Sequence, residues 1–202
     1  MFESLPISTR KPLGCHDAAM ETPLLHACCA PCSSAIVEWM LANGIRPAVY
    51  YYNPNIWPRE EYEIRRDESR RHAASLGLEW IEGEYDHEAW LAAVAGLENE
   101  PERGSRCQRC FDYRMRAAAR FAREHGHGCI TTTLASSRWK RQDQIDQAGC
   151  AAEAAEGVAY WAQNWRKGGL SERRAALLRE YGFYNQQYCG CEFSIRKNED
   201  TD

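Results

Sequence analysis

Hydrophobic and polar positions change period along the chain in a repeating order. Leu24 to Cys29 is a short apolar run that ends in cysteines, and Ser33 to Asn43 then places Ile36, Val37, Met40 and Leu41 on one helical face before Gly44 stops it. Arg46 to Tyr52 is rich in β-formers and ends at the turn signal Asn53-Pro54-Asn55. A β-α-β unit is thus complete, and its first and last strands must run parallel. Pro58 to Leu76 reads as a polar helix, Leu78 to Glu82 as a strand, and Asp86 to Leu97 as a helix capped by Asp86. After a polar loop from Glu98 to Arg106, Cys107 and Cys110 open a long helix that runs through Phe111, Met115, Ala118, Ala119 and Ala122 and ends before Gly126. Cys129 to Leu134 is β-rich; Lys140 to Glu156 reads as a helix, Val158 to Ala162 as a strand and Ser171 to Tyr181 as a last helix.

Strands alternating with helices in this way predict an α/β protein, a three-layer α/β/α sandwich around a mainly parallel five-stranded sheet. Ligands in such sheets collect beyond the carboxyl ends of the strands, so chemistry is expected near Cys28-Cys29, Asn53-Pro54-Asn55 and Thr133 to Ser137. With 202 residues, one full core is expected. The expected organisation is a disordered extension over 1–22, a single domain over 23–194 and a charged disordered tail over 195–202. No apolar run is long enough for a membrane span, and Met1 to Thr22 lacks the basic and apolar regions of a secretory signal, which points to the cytoplasm.

Ten cysteines in such a chain are an excess, and in a reducing compartment they point to metal or redox chemistry rather than disulfides. Seven fall in tight groups: Cys28, Cys29 and Cys32; Cys107 and Cys110; Cys189 and Cys191. Adjacent side chains such as Cys28 and Cys29 are expected to point apart, which suits two neighbouring centres better than one. Cys29 and Cys32 bracket a strand-to-helix junction where backbone N–H groups favour thiolate. Gly190 lets the backbone bend close to a bulky inorganic core. One tetrahedral zinc would leave three thiolates over, whereas a [4Fe–4S] cluster plus a further iron uses all seven; zinc-ribbon sites are the alternative. Cys129 and Cys150 are expected to be buried structural thiols, and Cys15 incidental.

The formal net charge of −4 does not itself suggest nucleic acid, yet the basic residues are grouped. Arg59, Arg65, Arg66, Arg70 and Arg71 form one group, the arginines from Arg103 to Arg123 a second, and Arg138, Lys140, Arg141, Arg166, Lys167, Arg173 and Arg174 follow. They could meet RNA phosphates, or form solvated helix faces with partners such as Glu60, Glu61, Glu63 and Glu68.

Six motifs, in order, carry a family resemblance: Leu24-Leu25-His26-Ala27-Cys28-Cys29-Ala30-Pro31-Cys32-Ser33, Tyr51-Tyr52-Asn53-Pro54-Asn55-Ile56, Arg106-Cys107-Gln108-Arg109-Cys110-Phe111, Thr131-Thr132-Thr133-Leu134, Asn164-Trp165-Arg166-Lys167-Gly168-Gly169 and Tyr188-Cys189-Gly190-Cys191-Glu192-Phe193-Ser194. Together they resemble the QueH type of epoxyqueuosine reductase. The resemblance implies a nucleotide-hydrolase-like (HUP-type) fold shared with ATP-using tRNA-modifying enzymes, but the cysteines occupy the place of an SGGxDS-type phosphate loop, so ATP is not an expected cofactor. It further implies two-electron removal of the epoxide oxygen of epoxyqueuosine in the tRNA anticodon, with a [4Fe–4S] cluster, an adjacent mononuclear iron and an external electron donor. Family members can carry another ligand type at the position of Cys32. The expected split is therefore Cys28, Cys107, Cys110 and Cys189 for the cluster and Cys29, Cys32 and Cys191 for the single iron.

Tyr51, Tyr52, Asn53, Asn55, Thr132, Thr133 and Ser136 are candidate substrate contacts, and Arg138, Lys140, Arg141, Arg166 and Lys167 candidate tRNA phosphate contacts. Ser137 belongs with the hydroxyls. His26, Tyr188 and Asp86 are candidate proton donors. The competing readings are a cluster-dependent tRNA sulfur transferase, which would need an ATP loop, and a non-catalytic iron–sulfur or zinc RNA-binding protein.

Overall fold

A computed structural model of the chain describes residues 22–195. The extension and tail expected over 1–22 and 195–202 lie, except for Thr22 and Ile195, outside the described residues, as does Cys15. Five strands form one sheet: β1 (Leu24–Ala27), β2 (Ala48–Tyr51), β3 (Trp80–Glu82), β4 (Cys129–Thr132) and β5 (Ala159–Tyr160). Their order is β3-β2-β1-β4-β5, and every neighbouring pair is parallel.

β1 is central because both its faces and both its edges are covered. Leu25 pairs with Val49 on one side and Thr131 on the other, and all four β1 residues are buried. A continuous apolar run is the signature of such a strand. From β1 the chain steps outward to β2 and β3, then returns to the opposite side for β4 and β5. The direction of winding therefore reverses between β1 and β4, leaving a crevice at their carboxyl ends. Cys28 follows β1 and Thr133 follows β4, so both border that crevice.

The helices are α1 (Ala30–Ala42), α2 (Arg59–Ser75), α3 (His87–Ala93), α4 (Ser105–Glu124), α5 (Gln142–Glu156) and α6 (Leu170–Glu180). Right-handed crossovers put α1 and α2 on one face and α4 and α5 on the other. The packing agrees: α1 touches α2 and α6, and α4 lies along α5. The three-layer α/β sandwich expected from the periodicity is present. β2 shows the alternation that joins the layers. Tyr50 stacks on Phe121 of α4 with ring centroids 4.5 Å apart, while Tyr51 meets Tyr62 of α2 at 5.3 Å.

Local chemistry shifts several boundaries. α1 begins at Ala30, three residues before the expected Ser33, because Pro31 is preset for the first turn and Cys29 holds the extended N-cap conformation. β4 ends at Thr132 instead of continuing to Leu134: the Thr132 hydroxyl accepts the Leu134 N–H at 3.1 Å and starts a 3₁₀ turn over Thr133–Ser136. α3 ends at Ala93 rather than Leu97, and its N-cap is Asp86 as expected. Cys129 is buried in β4, but Cys150 is exposed on α5, against the expectation of a buried thiol; α5 is turned so that Ile145, Ala148, Gly149 and Ala152 face inward instead. No described helix is long and apolar enough to cross a membrane.

Gly149 marks the closest approach of α5 to the sheet. A Cβ there would lie 2.3 Å from Cε1 of the Tyr160 ring, whose hydroxyl donates to Asp146 at 3.0 Å. Gly149→Ala should therefore destabilise the fold by about 1–3 kcal/mol through overpacking, read as a lower denaturation midpoint; an unchanged midpoint would show that β5 and α5 can separate without cost.

Candidate metal centre

The end of β1 turns directly into α1, and this brings three sulfurs together. The Sγ atoms of Cys28, Cys29 and Cys32 lie within 4.8 Å of one another, and all three residues are buried. Cys28 Sγ and Cys29 Sγ are 3.8 Å apart. The expectation that adjacent cysteines point apart therefore fails here: β1 stops at Ala27, so the strand alternation on which it rests does not reach Cys28 and Cys29. Four sulfurs around one ion at tetrahedral thiolate distances stand about 3.8 Å apart, so the trio has the spacing of a one-ion site.

The three thiols share charge unequally. Hydrogen bonds from Cys29 and Cys32 hold the Cys28 thiol well below the ordinary thiol range, with Lys140 and Thr133 acting in the same direction. Burial and the bond to Cys28 push Cys29 well above that range, and the bond to Cys28 raises Cys32. Within the group, Cys28 is the thiol most readily ionised. Thr133 clamps the thiolate from β4: its Oγ1 accepts the Cys28 N–H at 3.1 Å and donates to Cys28 Sγ at 3.3 Å.

The other four thiols converge from α4 and the last loop. Cys110 and Cys191 pack together with Trp90 and Val94. Burial raises Cys107 and Cys110 and pushes Cys191 up to about 11, and the charge of Cys189 acts on all three. Lys140 ties this group to the trio. Burial opposes its charge, but Cys189, Cys28 and Cys32 outweigh that and hold its pKa above that of an ordinary lysine. Thiols such as Cys107, Cys110 and Cys191, which desolvation keeps protonated, are donors that a cation would ionise and stabilise, so these residues fit a metal or iron–sulfur group.

The supports of the last loop come from α2. Arg65 is buried, donates from Nε to Glu61 at 2.7 Å and from Nη1 to the Cys189 carbonyl at 3.2 Å. Gly190 has φ +136°, and a Cβ there would lie 3.1 Å from Ile56 and 3.3 Å from both Arg65 and Asn55. Glycine is required by both conformation and space.

With this geometry in place, comparison with known proteins is decisive. The family model described as epoxyqueuosine reductase QueH matches residues 23–197. This chain belongs to the QueH family. It is 47% identical over 174 residues to the epoxyqueuosine reductase QueH of Histophilus somni, covering 86% of this chain and 72% of that relative. It is 37% identical over 180 residues to the QueH of Thermotoga maritima, covering 87% of this chain and 91% of that relative. In fold it is similar to a predicted subunit of tRNA methyltransferase from Methanocaldococcus jannaschii, with a TM-score of 0.54 at 12% identity over 88% of this chain and 94% of the other.

Against the QueH resemblance drawn from sequence, the structure places the remaining candidates as follows. Tyr51 is fully buried, with its hydroxyl donating to the Tyr62 carbonyl at 3.1 Å, so it is a core residue with no face for a base. Asn53 is a brace: its Nδ2 donates to the Ala27 carbonyl at 2.9 Å and its Oδ1 accepts from Arg114. Tyr52 stacks between Tyr50 and Tyr113. Thr132 caps the turn, and Ser136 donates to the Thr133 carbonyl at 2.8 Å. Asn55 differs: it is buried, and its Oδ1 has no hydrogen-bond partner. An unpaired buried acceptor beside Gly190 is available to a bound group.

The basic candidates divide. Lys140 is half-buried, and its charge is coupled to the thiols, as described. Arg166 is structural, donating to the carbonyls of Ser137 and Lys140, each at 3.4 Å, and to Gln142 at 3.1 Å. Arg141 pairs with Asp143, while Arg138 and Lys167 are exposed. Within α4, the stretch that reads from sequence as a basic face, Arg106 and Arg114 are buried; Arg106 donates to the Glu98 carbonyl at 2.7 Å.

None of the three proton-donor candidates is free. Asp86 accepts the Ala89 N–H at 2.9 Å as a helix cap, and the Tyr188 hydroxyl donates to the Trp57 carbonyl. His26 is buried, its Nδ1 accepting from Thr132 at 2.8 Å and its Nε2–H donating to the Tyr52 carbonyl at 3.1 Å. Burial first, and Arg114 second, lower its pKa to about 3, so it stays neutral. His87 escaped notice in the sequence, where it follows the capping aspartate without a motif; it donates to the Pro54 carbonyl at 2.7 Å and meets Glu192, the neighbour of Cys191, at 2.7 Å.

Two outcomes follow for the metal-free protein. His26 takes up its proton near 6.5 when unfolded but only near 3 when folded. Stability is then complete above pH 6.5 and lost as pH falls toward 3, with a slope of up to about 1.4 kcal/mol per pH unit. Denaturant midpoints of His26→Gln should be flatter between pH 6.5 and 5 than those of the wild type, and parallel curves would remove His26 from the acid sensitivity. Lys140→Met should raise the Cys28 pKa, leaving less thiolate, and slow its alkylation by iodoacetamide at pH 7, followed by mass spectrometry; an unchanged rate would mean that the ammonium does not reach the thiolate.

Proposed function

We propose that this chain catalyses the reaction named for its relatives, the reduction of epoxyqueuosine to queuosine, on tRNA. Two electrons and two protons enter, the two epoxide C–O bonds break and the oxygen leaves as water. The observation that carries this reading is the convergence of seven thiols at the switch-point crevice of a chain that the QueH model matches over residues 23–197. A tRNA substrate agrees with a cytoplasmic enzyme, and an external reductant must supply the electrons.

The tight trio of Cys28, Cys29 and Cys32 suits a single iron, and the wider group of Cys107, Cys110, Cys189 and Cys191 suits a [4Fe–4S] cluster. This exchanges Cys28 and Cys191 relative to the split expected from sequence. When bound, an iron with an open position acts as a Lewis acid on an epoxide oxygen, and a cluster supplies electrons singly. Around them, Thr133 fixes the Cys28 sulfur, Lys140 holds positive charge between the thiol groups, and Arg65 anchors the loop carrying Cys189. Asn55 Oδ1 is the acceptor for a substrate O–H. Arg138 and Lys167, exposed near the same loops, meet phosphates.

Anaerobically purified protein should contain about five irons and four sulfides per chain and, when reduced, convert epoxyqueuosine in tRNA to queuosine. A full iron complement without turnover would sink the reading. Cys32→Ala should lose the single iron and keep the cluster spectrum by Mössbauer spectroscopy, whereas Cys191→Ala should lose the cluster. Retention of the cluster in Cys191→Ala would restore the split expected from sequence.

A further inference from the structure

Two tryptophans stand exposed on segments that border the thiol crevice, Trp139 at 54% and Trp57 at 44% exposure. Exposing an indole ring is unfavourable, and a mobile loop would let it fold down. Trp139 is instead held out by its backbone. Its N–H donates to Ser137 Oγ at 3.3 Å, and its carbonyl accepts from Arg103 Nε at 2.9 Å. Arg103 in turn donates its own N–H to Cys107 Sγ at 3.2 Å, and Arg166 holds the Ser137 and Lys140 carbonyls on either side. The next residue along is half-buried Lys140, whose charge interacts with Cys189, Cys28 and Cys32. Trp139 is thus one residue from the chemistry, on a rigid segment. The Arg138 guanidinium lies 4.7 Å from its ring centroid.

Trp57 is fixed in the same manner on the other thiol-bearing segment. Its N–H donates to the Gly190 carbonyl at 2.8 Å, its carbonyl accepts from Tyr188, and its ring stacks on His87 with centroids 5.1 Å apart. Each tryptophan is therefore an exposed aromatic surface on a hydrogen-bonded backbone beside the crevice. Charge distinguishes the occupant: Arg138 lies against one ring, and two residues beyond the other is exposed Arg59, paired with Glu63 at 3.2 Å across an exposed helix turn that a phosphate can replace. Flat π surfaces with guanidinium groups beside them match unpaired nucleobases and their phosphates, which stack on aromatic rings without regard to base identity.

We propose that Trp57 and Trp139 are stacking platforms for the unpaired nucleobases that flank the reacting nucleotide, holding a single-stranded RNA loop across the thiol crevice. This rests on the tRNA reading above and adds to it the residues that grip the loop.

The test uses holoenzyme and a fluorescently labelled anticodon stem-loop hairpin, with affinity read by anisotropy at fixed salt. Trp139→Ala and Trp57→Ala should each weaken binding about tenfold with iron and sulfide contents equal to the wild type, and Trp139→Phe should recover most of the loss. Tyr181→Ala, which removes an equally exposed ring stacked on Phe183 away from the thiols, serves as the control and should bind as the wild type does. A hairpin with an abasic site at one flanking position should lose affinity for wild-type protein but lose no more when the matching tryptophan is absent. Wild-type binding with neither alanine variant weakened would overturn the platforms and leave the tRNA reading standing. A wild-type protein that does not bind the hairpin would remove both.

Discussion

Burial of ionisable sulfur at the centre of the sheet is the constraint on which the rest of this structure depends. Cys28 leaves the end of β1 at the point where strand winding reverses, and as a thiolate it would be costly there without compensation. Compensation comes from three directions: two neighbouring thiols on the same turn, the Thr133 hydroxyl at the end of β4 and the Lys140 ammonium from the segment before α5. The parallel pairing of β1 with β4 runs to His26 and Thr132, and just beyond it Thr133 comes within hydrogen-bond reach of Cys28, so the register of the sheet and the chemistry of the sulfur are one arrangement.

The polar interior around that sulfur is almost fully satisfied. His26, Thr132, Tyr52, Asn53 and Arg114 form a continuous hydrogen-bonded network beneath the crevice, and Asn53 ties it to the end of β1 through the Ala27 carbonyl. A network of this kind rigidifies what stands above it. Residues that are attractive as catalysts by type, such as His26 and Asn53, are instead used to hold the site still. Asn55, with its unpaired Oδ1, and the exposed tryptophans are where the same edge remains open to a partner.

Charge follows a similar division. Arg65, Arg106 and Arg114 are spent on carbonyls and carboxylates inside the protein, bracing the loops that bear thiols. Positive charge available to a polyanion lies instead on Arg138 and Lys167, on the loops around the crevice. A chain with net charge −4 can therefore present a locally basic rim.

What the sequence determined by itself was the layout. Periodicity specified five strands, their alternation with helices and a parallel sheet, because burial on one face or two leaves a direct imprint on residue order. Clustered cysteines and the order of six motifs pointed to the family and to the carboxyl edge of the sheet, because ligands must be brought there by the short segments that follow strands. What only the tertiary structure decided was how separated groups meet. The sulfurs of Cys28 and Cys29 approach to 3.8 Å because β1 ends one residue earlier and the turn into α1 brings them together. The hydrogen bonds of His26, the coupling of the Lys140 charge to the thiols and the burial of Tyr51, Arg106 and Arg114 depend on partners distant in sequence. One-dimensional periodicity records which face of an element is covered but not which side chain from another element covers it.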